Sequence, residues 1–248
     1  MLPADLGPGV VAGFTTRAGG VSRGPWEGLD LGLHVGDDPA DVGRNRALLG
    51  EWAGAPVGFA RQVHGTRVEV VDDLPEPGRS GDLFAADGCD ALVTARAAVP
   101  LGVLVADCVP VLLADPQAGV VATAHAGRRG LLDGVLQATV RRMVGLGARP
   151  ASVRAALGPC AGPCCYEVPP DMRAHACALL PALHATTQAG TPSLDLRAGC
   201  REALASVGVG RVDDVGGCTV EDPDLYSYRR AAVTGRFAGV VRLDGGSA

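Results

Sequence analysis

The sequence predicts one α/β domain built on a mixed β-sheet. Short Val-rich apolar runs recur along the chain, segments of helical period lie between some of them, and several neighbouring runs are joined by tight turns alone. A regularly alternating parallel sheet leaves no room for such turns, so a mixed sheet is expected. No internal repeat, long linker or low-complexity block divides the 248 residues, and residues 1–248 are read as a single domain with a substantial core.

The runs expected as strands are 68–74, 90–94, 101–106, 109–114, 119–124, 152–157 and 237–243. Helical period is clearest over 130–144. There Leu131, Leu132, Val135, Leu136, Val140, Met143 and Val144 recur at three- and four-residue steps, and Gly145, Gly147 and Pro150 end the pattern. Residues 169–183 and 196–206 are two further helical segments.

Composition narrows the function classes. Hydrophobic residues at 47% and charged residues at 20% describe a packed interior rather than a disordered chain. A net charge of -5 offers no general attraction to nucleic acid, although a local arginine cluster suffices for a nucleotide-sized ligand. The first residues lack a basic stretch followed by an apolar signal core, and no apolar run approaches the roughly 20 residues of a membrane helix. The expectation is a cytoplasmic protein, monomeric, without a membrane or nucleic-acid partner. Eight cysteines do not amount to a disulfide scaffold at this length, which leaves thiols for metal binding or chemistry.

The stretch "VADCVPVLLADPQAGVVATAHAGRRG", residues 105–130, holds Cys108 and His125 at the two ends of an expected hairpin. If Ala114 faces Gly119, Cys108 falls directly opposite His125, and directly opposed side chains share a face. A second histidine, His64 in "RQVHGTRV", also lies just before a glycine and near an expected strand. Cys plus two His is a sound set for a catalytic metal, because three protein ligands leave a fourth position open. From residue types and spacing alone, three readings stay open: a shared metal, buried structural Cys and His, and a Cys–His nucleophilic pair.

The ordered motifs resemble the YfiH-like family, also known as the polyphenol oxidase or laccase-domain family, peptidoglycan editing factor and purine nucleoside phosphorylase. The matching segments are "FTTRAGGVS" (14–22), "LDLGLHVGDDPADVGRNR" (29–46), "RQVHG" (61–65), "AADGCDALVT" (85–94), "ADCVPVLL" (106–113), "HAGRRG" (125–130), "LGPCAGPCCYEV" (157–168), "CT" (218–219) and "YSYRRAAVTGR" (226–236). The resemblance implies a single-domain mixed-sheet α/β sandwich with one zinc ion held by His64, Cys108 and His125. It also implies phosphorolysis of adenosine, inosine, guanosine and methylthioadenosine, with adenosine deamination at the same site. The one departure is Arg128, where the family has Trp in HAGWRG.

Phosphate calls for arginine, whose planar fork makes paired hydrogen bonds. The resemblance makes Arg46 in "NR" the first candidate, with Arg229 and Arg230 of "YSYRR" behind it. Asp87 and Asp107 are candidates for orienting ligands or touching substrate, since a metal-bound His needs an outer acceptor. Cys160, Cys164 and Cys165 are expected to shape a loop, because no neighbouring histidine or further cysteine pair completes a set of four. His34 suits a cap or a pocket wall, and His175 and His184 a surface. Three rivals remain: a cysteine hydrolase or amidase acting on peptidoglycan precursors with Cys108 as nucleophile and His125 as base, a copper oxidase, and a metal-stabilised binding module without turnover. Five histidines are few for four coppers, and no Met sits beside the cluster as a weak axial ligand.

Overall fold

The computed structural model describes residues 1–74, 84–97 and 99–245. Two six-stranded mixed sheets face each other. The first takes β1 (Leu2–Pro3), β2 (Val10–Phe14), β3 (Gly58–Arg61), β5 (Phe84–Asp87), β7 (Leu101–Val105) and β14 (Phe237–Leu243), in the order β1-β2-β14-β7-β3-β5. The second takes β4 (Val68–Val70), β6 (Ala91–Thr94), β8 (Val109–Asp115), β9 (Val120–Ala126), β10 (Arg154–Leu157) and β13 (Arg211–Asp214), in the order β13-β10-β8-β9-β6-β4. Strands β11 (His184–Thr186) and β12 (Pro192–Leu194) form a small ribbon apart from both. Each large sheet is antiparallel at its centre and parallel towards one or both edges, the mixed architecture expected from the tight turns.

The central strands are buried on both faces, which is why they read as continuous apolar runs rather than alternating ones. In β8, Val109, Val111 and Leu113 face the helical layer while Leu112 and Ala114 face the opposite sheet. The helical layer on that side includes α2 (Arg128–Asp133), α3 (Val135–Gly145), α4 (Pro170–Leu179) and α5 (Leu196–Ala205), which add Leu131, Leu136, Ala176 and Leu204 to the same core. Between the sheets lie Phe14, Leu101, Val103, Leu112, Val121, Phe237 and Val241. Helix α1 (Pro39–Ala53) covers the outer face of the first sheet through Leu49 and Ala53 against Phe59, Leu104 and Val240.

The expected helix over 130–144 is two helices, α2 and α3. Gly134 has φ 95°, and its N–H closes α2 on the carbonyls of Gly130 and Leu131. The hairpin also departs from the expected register. Ala114 pairs with Val121 and His125 with Pro110, so Cys108 is not the cross-strand partner of His125. The turn sets this: the Asp115 carboxylate accepts the N–H groups of Gln117 and Ala118, and Gly119 takes φ 62°. Asp115 therefore stays in the ladder opposite Val120, and the register moves by two. A shift of two preserves the face, so Cys108 and His125 still meet, diagonally rather than directly.

Helix α1 lacks an apolar stripe because its inward face carries Asn45 and Arg46. Asn45 donates to Gly28 and Asp30 carbonyls and accepts from Val21 N–H, pinning the loop over 21–30. No described helix is long and apolar enough to cross a membrane.

Phe14 fills a slot that exists because two facing positions lack a side chain. A Cβ on Gly158 would stand 2.4 Å from the Phe14 ring, and one on Gly239 would stand 2.9 Å from it. Gly158→Ala is expected to lower stability by about 1–3 kcal/mol in urea unfolding, as overpacking does. Adding Phe14→Leu recovers part of that loss; an unchanged Gly158→Ala midpoint contradicts the slot.

Candidate metal centre

Residues 121, 123 and 125 of β9 point between the sheets, and His125 is the last of them, at the open end of the sandwich. Its ring is buried, with Nδ1 2.8 Å from Oδ1 of Asp90. A carboxylate only accepts, so Nδ1 donates and Nε2 is left for the cavity. Asp90 stands immediately before β6, beside His125, and its backbone carbonyl accepts the His125 N–H at 2.7 Å.

The same carboxylate holds a second segment. Asp90 accepts the backbone N–H groups of Val63, His64 and Gly65 at 3.1, 2.8 and 2.7 Å. These bonds secure His64 at φ 60°, a left-handed conformation that costs a non-glycine residue roughly 1–3 kcal/mol. Burial alone would raise the Asp90 pKa; the bonds from His125 and from the Gly65 and Val63 amides bring it below the usual carboxylate range.

Cys108 follows a second strained residue, Asp107 at φ 93°. Asp107 is fixed by the Thr219 hydroxyl on Oδ1 and the Arg229 N–H on Oδ2, each at 2.6 Å, and by the Ala161 N–H on its carbonyl. Cys108 Sγ then lies 3.8 Å from His64 Nε2, and the rings of His64 and His125 meet edge to face at 4.6 Å. One donor atom from each of the three residues lies within 4.8 Å of the other two. Gly127 makes room for the cluster, since a Cβ there would come 2.7 Å from the His64 ring and 3.0 Å from Cys108 Sγ.

Burial pushes the Cys108 thiol up, but His125 and His64 beside it bring its pKa down to about 6. Burial pushes His125 down, and the Cys108 thiolate and Asp90 raise it to about 9. Without a metal the pair therefore sits as thiolate and imidazolium near neutral pH. The donor set fits a divalent ion such as zinc: one thiolate, two imidazoles, an outer carboxylate on one ring, and a fourth side open to the cavity.

That cavity measures about 620 Å³ and its walls include His34, Arg61, Gln62, Tyr166, Tyr228, Arg229 and Arg236. Gln62 is locked by paired bonds with the Leu104 backbone. Burial, and then the charges of Arg236, Arg46 and Arg61, hold His34 below the usual imidazole range. Arg229 lies over the Tyr166 ring at 5.0 Å. Of the arginines singled out in the sequence, only Arg229 lines the cavity. Arg46 is buried behind the wall, bonded to the Leu31 carbonyl and stacked on Phe59. Arg230 binds the carbonyls of Thr219, Val220, Asp222 and Leu225. His175 and His184 are exposed elsewhere. The outer acceptor for a ligand is Asp90 rather than Asp87, which is exposed and pairs with Arg61 at 2.8 Å. Asp107 acts through the backbone that carries Cys108.

The family model described as multi-copper polyphenol oxidoreductase laccase matches residues 11–244. The chain belongs to that family. A purine nucleoside phosphorylase of Corynebacterium glutamicum is 46% identical over 233 residues, covering 93% of each chain. The crystal structure of a Neisseria meningitidis protein, described under family model DUF152, superposes with a TM-score of 0.86 at 36% identity and covers 99% of both chains. That of the Bacillus licheniformis hypothetical protein YfiH gives 0.82 at 31%, covering 94% of this chain and 92% of its own. The YfiH-like resemblance and the mixed α/β sandwich both stand. Within this family fold the buried Asp90 is the group that sequence reasoning missed; its signal was the acid of "CD" as the first residue of an expected strand.

Asp90→Asn keeps the shape but removes the charge, and turns an NH₂ towards donors that need an acceptor. Zinc affinity, read by competition with a chromophoric chelator, is expected to fall about 10–100-fold. Unchanged affinity contradicts the role given to Asp90.

Proposed function

We propose that the chain is a zinc-dependent purine nucleoside phosphorylase, acting on adenosine, inosine, guanosine and methylthioadenosine, with adenosine deamination as a second reaction of the same site. One observation carries this reading: the three-donor cluster of His64, Cys108 and His125 opens onto a cavity whose walls also bring together His34, Arg61, Arg229 and Arg236. The volume of about 620 Å³ suits a nucleoside with phosphate. The relatives named purine nucleoside phosphorylase support the class of substrate.

Arg61, Arg229 and Arg236 are placed to take phosphate oxygens, with Arg46 adding charge from behind Phe59. Burial first, and then the charges of Arg236, Arg46 and Arg61, hold His34 below the usual imidazole range, which suits it to meet phosphate as a hydrogen-bond donor. Tyr166 and Tyr228 offer ring faces for a purine. Phosphate attacks the anomeric carbon as the bond to the base breaks, through a cationic sugar, so the wall's work is to hold the anion in line. His64, Cys108 and His125 would hold a zinc ion, which when bound would supply Lewis acidity for phosphorolysis and for deamination.

Thiolate Cys108 beside imidazolium His125 also fits a cysteine hydrolase. His64 as a third convergent donor favours the metal. The donor set, with two imidazoles, provides for one ion rather than the several coppers in the family's description.

Adenosine incubated with metal-quantified protein is expected to give adenine and ribose 1-phosphate when phosphate is present, and inosine when it is absent. Chelation abolishes both and zinc restores them. Turnover that survives complete chelation but is lost on thiol alkylation overturns the metal reading in favour of the cysteine hydrolase.

A further inference from the structure

A second cluster of metal-binding side chains lies outside the cavity. Loop 158–168 carries the adjacent Cys164 and Cys165, and a turn that ends at Glu221, 57 positions after Cys164, brings Cys218 and Glu221 against them. No nearby stretch of sequence completes a set of four with these cysteines, but the fold does. One donor atom from each of the four residues lies within 4.8 Å of the other three, the same spread as at His64, Cys108 and His125.

We infer that Cys164, Cys165, Cys218 and Glu221 form a second metal site, for a thiophilic divalent ion of zinc's class. Ligands of a tetrahedral zinc stand roughly 3.5–4 Å apart, so the observed spread closes with side-chain adjustment alone. The loop is shaped for close approach: a Cβ on Gly162 would meet Cys164 Sγ at 3.1 Å and Cys218 Sγ at 3.4 Å. Cys218 Sγ accepts the Gly162 N–H at 3.2 Å. Burial would raise the Cys218 thiol, while amide bonds from Gly162, Glu221 and Val220 bring it below its ordinary value. Glu221 is already aimed. Gln188 Nε2 binds its Oε1 at 3.1 Å, and its Oε2 lies 3.3 Å from Cys164 Sγ.

The donor chemistry selects the ion. Three sulfurs require a thiophilic metal, and the carboxylate favours a borderline divalent ion over a purely soft monovalent one. Four protein donors make a closed, structural set, unlike the three at the cavity. Cys160 is outside it, buried with its thiol pushed up to about 12 by burial. Both loops that the ion joins serve the cavity. Tyr166, next to Cys165, lines it, and Thr219, next to Cys218, anchors Asp107 ahead of Cys108.

The test is metal reconstitution of reduced, full-length protein under anaerobic conditions. Wild type is expected to take two zinc ions per chain, one for each donor cluster. A His64→Ala/Cys108→Ala variant keeps one, and cobalt(II) added to it develops thiolate-to-cobalt charge-transfer absorption. A Cys164→Ser/Cys218→Ser variant, checked for folding by circular dichroism, keeps only the other. Should that variant fail to fold, Glu221→Gln decides: it is expected to weaken cobalt binding in the His64→Ala/Cys108→Ala background about tenfold or more. No ion on His64→Ala/Cys108→Ala, or an affinity in that background untouched by Glu221→Gln, overturns the site.

Discussion

The Asp90 carboxylate is the constraint on which the cavity site depends. It is fully buried, and it takes four donors at once: the His125 ring and three successive amides from Val63 to Gly65. A buried carboxylate with fewer partners would be costly, so the acid and the two segments it holds stabilise each other. The register of β6 on β9, with Ala91 opposite Ala124, sets Asp90 beside His125. Strand pairing therefore fixes the tautomer of one donor of the cluster and the backbone of another.

Two strained backbones mark where the chain was bent for this purpose. His64 and Asp107 are the non-glycine residues with positive φ among those described, and each is a donor of the cluster or the residue before one. Each is held by several hydrogen bonds to side chains or amides distant in sequence. Arg128 belongs to the same neighbourhood: it begins α2 two residues after β9 ends, and its charge acts on the Tyr166 hydroxyl, working against the rise that burial causes.

What was legible in the sequence followed from burial. Strands β7, β8, β9 and β14 are covered on both faces, so they appear as apolar runs, and Cys108 and His125 stand out as polar ends of two of them. Register was not legible, because Asp115 and Gly119 set the turn by side-chain capping and a positive φ. Helix α1 was hidden by Asn45 and Arg46, polar residues that face inward to bind loop carbonyls. Arg61 and Arg236 lie in matching motifs, yet only the sheet order β14-β7-β3, with β7 in between, brings them to one cavity. Cys218 and Glu221 escaped for the same reason, since sequence distance conceals a partner that folding supplies.

The claim that His64, Cys108 and His125 share one metal is tested most directly by crystals grown with zinc and measured on both sides of the zinc absorption edge. The account predicts an anomalous peak bonded to His64, Cys108 Sγ and His125 Nε2, with Asp90 still on His125 Nδ1. A Cys108 Sγ and His125 Nε2 left in direct hydrogen bond, with the anomalous signal confined to other parts of the chain, would contradict it.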